Sequence, residues 1–495
     1  MTKYARSEIM KNKIAIIILF MLTLLLTGCR PQEVEQIKKI EADFIVYPHI
    51  KSDYLYQQSS ELLINGNCEV GGTIIASLYS NQGVKIATES TVSDESGYFE
   101  IALNTPTGSY SEYYLEVKDY HGKYVKTYHN ILFGEVHLLL GDHLINDKVL
   151  KPINEEIKGT QIYYLDCTNM FNNWEKISLE DNSLNFIGAL SEILLSSSKY
   201  KNVPLGFVNI TFDKTYIEEW LTVSDASDNK SVLSFLETTN KYYENAYQKG
   251  QMAYVVNNLL SNLYNYSFAN IILSMGVNDF DELYGKINLE NYYNIYAKML
   301  LYVLRNIENS FFNYNKLSII QTNSIDVDNI NELRNIQAKV ANLVTSSELI
   351  PTYDINTSKE NEFTKKLVKR YYDIVYGKKE ISEYANHFIN EVNHTLTIEL
   401  SKSSIFEYNF DNLKIYDENG EIINFAKNKI KTRFNQIIID LSYEEELIDD
   451  SGDNDNTIQY YHISCIEYAQ DEVVEGDIIT NNSELPVIPF VIYLD

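Results

Sequence analysis

Cysteine is scarce in this chain: four in 495 residues, with Cys68, Cys167 and Cys465 far from one another and from Cys29. Those three cannot pair completely and none has metal-ligand spacing, so they read as small buried side chains and not as a disulfide or metal framework. Proline is also sparse, at eight, within a composition that is 45% hydrophobic and 22% charged and therefore globular. Positive charge is the third shortage. Forty-one Lys and Arg face 69 Asp and Glu, a net charge of −28. That balance excludes nucleic acid as an expected partner and disfavours electrostatic docking on anionic lipid. The 40 tyrosines accompany abundant asparagine and isoleucine, which is a coding bias and not a functional signal.

Long apolar runs are absent except at the start. Lys3, Arg6, Lys11 and Lys13 precede a nearly continuous apolar stretch, Ile14 to Leu26, too short to span a bilayer as a stable helix. It ends in Leu26-Thr27-Gly28-Cys29, which resembles a bacterial lipobox. The expectation is a signal peptide over 1–28 and acylation of Cys29, which anchors the chain durably because several acyl chains share one residue. An ordinary cleaved signal with an incidental cysteine is the alternative. Residues 29–44 are polar and read as a tether. The expected location is the bacterial cell envelope, outside the cytoplasm.

The remaining chain is too long for one ordinary core and divides by pattern. Residues 45–130 show short period-two strands, in Glu69–Tyr79, Tyr98–Leu103 and Tyr113–Lys118, with turns at Asp94–Gly97 and His121-Gly122. They predict an immunoglobulin-like β-sandwich. Over 131–390 apolar strands (Ile162–Leu165, Leu205–Ile210, Ile271–Met275, Leu317–Gln321) alternate with helices, one starting near Asn291 and one over Glu362–Val375. Residues 391–495 return to β, in Thr395–Leu400, Ile437–Leu441 and Tyr460–Ser464. The acidic run Glu444–Asp455 lacks the glycine and ligand periodicity of an EF-hand loop and reads as a solvated surface loop. The fold class expected is α/β: a parallel sheet flanked by helices, with the sandwich before it and a β-rich region after it.

The most informative stretch is Phe133–Ile145. Its apolar run Val136–Leu140 stops at Gly141 and turns into a polar loop, as a buried parallel strand does when it presents a site at its carboxyl end. Gly141-Asp142 resembles the first sequence block of the SGNH (GDSL-type) hydrolases in the form found in sialate O-acetylesterases. Further fragments resemble that family in order and spacing. They are Trp174 with Phe186–Leu190, Val203–Trp220, Leu263–Asn265, Leu333-Arg334 with Gln337, and Leu485–Phe490. The resemblance covers residues 60 to 495. It implies the SGNH-type parallel sheet, an upstream immunoglobulin-like module and carbohydrate acetyl-ester hydrolysis without a cofactor or metal.

The blocks that would carry the chemistry differ from the family pattern. The nucleophilic serine position holds His143. An oxyanion glycine whose bare N–H approaches the ester is expected in a Gly-Gly-Thr turn, where this chain has Phe212-Asp213-Lys214-Thr215. Gly276-Val277-Asn278-Asp279 keeps the third block. Asn278 is there either an oxyanion donor or, with Asp279, a cap of the following segment. The last block, Tyr353–Lys359, offers Asp354 but no histidine, and His387 and His394 lie beyond the next helix. Nucleophile and base are both missing in register. The candidate site is therefore His143 and Asp354 at catalytic positions, with Gly141, Asp142, Asp213, Asn278 and Asp279 around the pocket.

Three functions fit. The first is a non-catalytic surface protein that binds a glycan, such as an acetylated sugar, or a partner protein. The second is an active carbohydrate O-acetylesterase in which His143 with Asp279 or Asp354 activates water. The third is a purely structural surface protein. A fold does not choose among them.

Overall fold

A computed structural model describes residues 44–494 apart from 143–161, 169–172, 178–184, 213, 240–251, 277, 280–288, 323–329, 356–359, 383, 402–404, 408–409, 411, 427–428, 449–453, 469–479, 482–484 and 488–489. The signal segment, Cys29 and the tether up to residue 43 lie outside the described residues. No described helix is long and apolar enough to cross a membrane.

The amino-terminal strands are β1 (Ile45–Val46), β2 (Leu55–Gln57), β3 (Glu61–Asn67), β4 (Thr73–Ser80), β5 (Lys85–Val92), β6 (Tyr98–Asn104) and β7 (Ser109–Asp119). Strand β3 pairs antiparallel with β1 and β6, and β4 pairs antiparallel with β5 and β7. Then comes β8 (Val125–Asp142), an 18-residue strand whose exposure changes half way. Residues 125–130 are mostly exposed and belong to the antiparallel pairing with β7; residues 131–142 are buried except Leu132. The buried half runs parallel between β11 (Leu205–Phe212) and β12 (Ser267–Ser274). Outside them lie β9 (Ile162–Asp166) and antiparallel β10 (Glu175–Ile177) on one side, β13 (Asn313–Ile320) and β14 (Ser347–Ile350) on the other. One mixed, 11-stranded sheet results.

Seven α-helices occur among the described residues: α1 (Phe186–Ser196), α2 (Val223–Asp228), α3 (Lys230–Thr238), α4 (Tyr254–Asn258), α5 (Leu289–Ser310), α6 (Ile330–Ala341) and α7 (Glu360–Val375). The period-two alternation of β8 divides them. Leu139 joins the cluster that includes Phe186, Leu367 and Tyr371 from α1 and α7. Leu138 and Leu140 join the cluster with Tyr292, Tyr296, Met299 and Leu333 from α5 and α6. The expected stripe of α5 is present, with Tyr292, Tyr296, Met299, Leu300, Val303 and Leu304 all buried.

The last region comprises β15 (Tyr384–Asn390), β16 (Thr395–Leu400), β17 (Ile405–Glu407), β18 (Leu413–Asp417), β19 (Ile430–Arg433), β20 (Gln436–Asp440), β21 (Ser442–Ile448), β22 (Asn454–Tyr460), β23 (Ile463–Tyr468), β24 (Thr480–Asn481) and β25 (Phe490–Tyr493), in four antiparallel sheets. The acidic run does not form a loop throughout. Its flanks pair as the β21–β22 hairpin, in a register that sets Glu444, Glu445 and Glu446 opposite Ile458, Thr457 and Asn456, not opposite other acids. The expected strand Tyr460–Ser464 is interrupted between β22 and β23.

The α/β expectation is corrected. Strand accounts for 42% of the described residues and helix for 25%, in mixed and antiparallel sheets. The central sheet is not purely parallel: β4, β5 and β7 are a wing of it, because β8 continues from one into the other, and β1, β3 and β6 form a second, three-stranded sheet. The sequence pattern missed this continuity. An exposed half-strand and a buried half-strand have different periodicities and look like two elements.

Candidate functional site

The carboxyl ends of β8, β11, β12, β13 and β14 lie side by side, with Asp142 beside Phe212, Gly141 beside Ser274, and Ile320 between Ser274 and Ile350. Gly141 has φ of 100°, and a Cβ on it would lie 1.8 Å from the carbonyl oxygen of Ser274. Only glycine lets β8 turn so close to β12.

That turn delivers Asp142, which is buried, and its Oδ1 accepts from Asn278 Nδ2 at 2.6 Å. The Asn278 amide thus binds a side chain from the neighbouring strand end. Asp279 is also buried, and its Oδ1 accepts at 2.9 Å from the backbone N–H of Ile217, the first residue of the 3-10 turn Ile217–Trp220. It holds the start of that turn, a favourable place for a carboxylate. Trp220 closes the turn by donating from Nε1 to Thr215 Oγ1 at 2.8 Å. Tyr296 of α5 reaches the same place. Burial, then the charges of Asp279, Asp142 and Glu218, raise its hydroxyl pKa well above the usual tyrosine value. Gly276, at φ of 123°, makes room for it; a Cβ there would come within 2.8 Å of the Tyr296 hydroxyl.

A second set of bonds ties the strand ends to α6. Gln337 Nε2 donates to Met275 O at 2.8 Å and Gln337 Oε1 accepts from Thr322 N at 2.9 Å. Arg334 Nε donates to Thr322 O at 2.9 Å. Burial lowers the Arg334 pKa to about 10, with Tyr353 and Asp354 acting in the opposite direction, so it remains a cation at neutral pH.

Asp354 is held from another side. Arg370 of α7 donates from Nη1 and Nη2 to its two oxygens at 2.6 and 2.7 Å, and from Nη1 to Pro351 O at 2.6 Å. Both side chains are largely buried, at 9% and 13% exposure. This is a bidentate pair of the strong kind. The structure therefore brings Gly141, Asp142, Asn278 and Asp279 together and places Asp354 in an ion pair. His143 and Asp213 lie outside the described residues. Among the described residues no cluster of three or more His, Cys, Asp or Glu could hold a metal ion.

Sequence reasoning missed Arg370, Tyr296, Glu218 and Thr322. Arg370 did leave a signal: it interrupts the buried stripe Phe363, Leu367, Tyr371, Ile374 of α7. A charge in an apolar stripe marks a buried partner.

No protein-family profile matches the chain. No curated protein matches it either. Among solved structures, a carbohydrate acetylesterase from Xanthomonas citri superposes with a TM-score of 0.58 and 14% identity, over 91% of this chain and 99% of that one. The chain therefore has an esterase-like fold, on a scaffold also used by a carbohydrate-acting enzyme. An acetyl-xylooligosaccharide esterase from Geobacillus gives a TM-score of 0.27 at 10% identity, over 49% of this chain and 94% of that one. A β-glucuronidase from Parabacteroides merdae gives 0.25 at 10% identity, over 60% and 34%.

Proposed function

We propose that the protein is a surface lipoprotein, anchored through Cys29, that uses an esterase-like scaffold to bind a glycan or a partner protein without hydrolysing it. The observation that carries the reading is the Asp354–Arg370 pair. The one aspartate in the last block has both oxygens engaged by a guanidinium, so it is not poised to orient a catalytic base. The rest of the site agrees. Asn278 gives an amide hydrogen to Asp142, Asp279 holds a backbone N–H, and the serine position is His143. A rearranged mechanism that pairs His143 with Asp279 or Asp354 needs carboxylates that are already in structural bonds.

The test is turnover of 4-nitrophenyl acetate and O-acetylated sugars by the purified protein beside His143→Ala. The expected result is no difference between the two, together with saturable binding on a glycan array. Turnover that His143→Ala abolishes overturns the proposal in favour of an active esterase. A folded protein that binds no glycan and captures no partner leaves the purely structural reading. For the anchor, Cys29→Ser should move the protein from the membrane fraction to the soluble one; a wild-type chain already in the soluble fraction refutes it.

A further inference from the structure

We propose a second ligand site, in the carboxyl-terminal sheets, that takes an acidic sugar of the uronic-acid class. A cavity of about 380 Å³ opens where the start of β16, the strands β19 and β20 and the end of β22 meet. That size suits a mono- or disaccharide. Its walls include His394, Tyr460, Lys429, Lys431, Asp440 and Ser442.

The first element is an aromatic platform. The His394 ring lies parallel to that of Tyr460, at 17° and 3.3 Å between centroids, and Tyr460 is 38% exposed. His394 has a left-handed φ of 48° and its carbonyl accepts from Leu441 N at 3.0 Å, so the backbone sets the position of its ring. A flat aromatic pair beside a cavity accepts the C–H face of a pyranose ring.

The second element is polar and cationic. Asp440 Oδ1 accepts from Ser442 N and Oγ at 3.0 and 2.8 Å. Lys429 Nζ donates to Ser442 Oγ at 2.9 Å and lies 3.9 Å from Asp440 Oδ2. Exposed Lys431 also faces this carboxylate. Two lysines against one aspartate leave an excess of positive charge, on a chain whose net charge is −28. That local reversal selects a carboxylate on the ligand, while Asp440 and Ser442 serve its hydroxyls. None of these residues belongs to the site at the strand ends; the esterase readout above tests that site alone, and the Lys431 and Tyr460 variants below assign any sugar binding to this one.

The experiment measures binding of D-glucuronate to the full-length protein by calorimetry and ligand-observed NMR, with D-glucose as the neutral counterpart and acetate as a bare anion. Glucuronate should bind saturably and at least ten-fold more tightly than either control. Lys431→Glu and Tyr460→Ala should each weaken it by about ten-fold, and Tyr460→Phe should not. Equal binding of acetate reduces the site to an anion hole and overturns the proposal, as does equal binding of glucose. No glucuronate binding, or binding indifferent to both substitutions, also overturns it.

Discussion

At the scale of single residues, buried charge is the most consequential feature, and Asp354 with Arg370 is its clearest case. Arg370→Met removes the guanidinium and leaves a carboxylate at 9% exposure without its partner. The expected cost is about 3–5 kcal/mol, read from urea denaturation. Adding Asp354→Asn should restore most of it, since the uncompensated charge is then gone. His137 makes a complementary case. It is buried, with Nε2 3.2 Å from the Tyr376 hydroxyl, and burial pushes its pKa down to about 3. In the unfolded chain it titrates near the ordinary histidine value of 6.5. Above that pH neither state binds the proton, so His137 adds no slope. As pH falls from 6.5 towards 3 the unfolded state alone takes it up, and stability drops by about 1.4 kcal/mol per unit. Urea midpoints at pH 7, 6, 5 and 4 should show a shallower acid loss in His137→Leu, whatever the substitution costs in absolute stability. Equal slopes would mean that His137 is not buried neutral.

At the scale of elements, β8 decides most of the architecture, and Gly141 decides how β8 ends. Gly141→Ala drives a Cβ against the Ser274 carbonyl and forces an alanine to a φ of 100°. The expected result is loss of more than about 2 kcal/mol or failure to fold, measured by thermal melting. The buried half of β8 is legible in sequence because Val136–Leu140 is apolar apart from His137, and α5 because its apolar residues recur at helical spacing. The strand's exposed half carries no such signal. Gly141-Asp142 and Asn278-Asp279 stand out as blocks, yet nothing local shows that Asn278 reaches Asp142 from 136 residues away. The Asp354 pairing was hidden for the same reason. Arg370 signals that it needs a partner, and only the packing of α7 across the end of β14 says which.

At the scale of the whole molecule, the two readings of the amino-terminal region predict different unfolding. An autonomous sandwich would melt by itself. The observed arrangement places Leu115 of β7 in one cluster with Leu138, Trp220 and Met299, and carries the hydrogen-bonded ladder from β4 through β7 and β8 into β12. Hydrophobic loss in β7 should then weaken the central sheet as well. The chain has two tryptophans. Trp174 touches Tyr54 beside β2, at 5.6 Å between ring centroids, and Tyr163 of β9, at 6.4 Å, so it reports on both regions at once. Trp220 is buried at the 3-10 turn beside the site. In a Trp174→Phe background fluorescence therefore follows the central sheet alone. Leu115→Ala should lower the stability read from Trp220 by about 2–5 kcal/mol, as a fully buried leucine in a shared core requires. Leu396→Ala tests the contrast, because Leu396 lies in a third cluster that includes only Tyr353 from the middle of the chain. Tyr353 donates from its hydroxyl to Val487 O at 2.7 Å, and Leu485 joins the cluster of Phe186 and Ile350, so few described core residues link the two regions. The Trp220 transition should accordingly shift much less with Leu396→Ala than with Leu115→Ala. If Leu115→Ala leaves that transition in place, β8 joins the two regions by geometry without making them one cooperative unit.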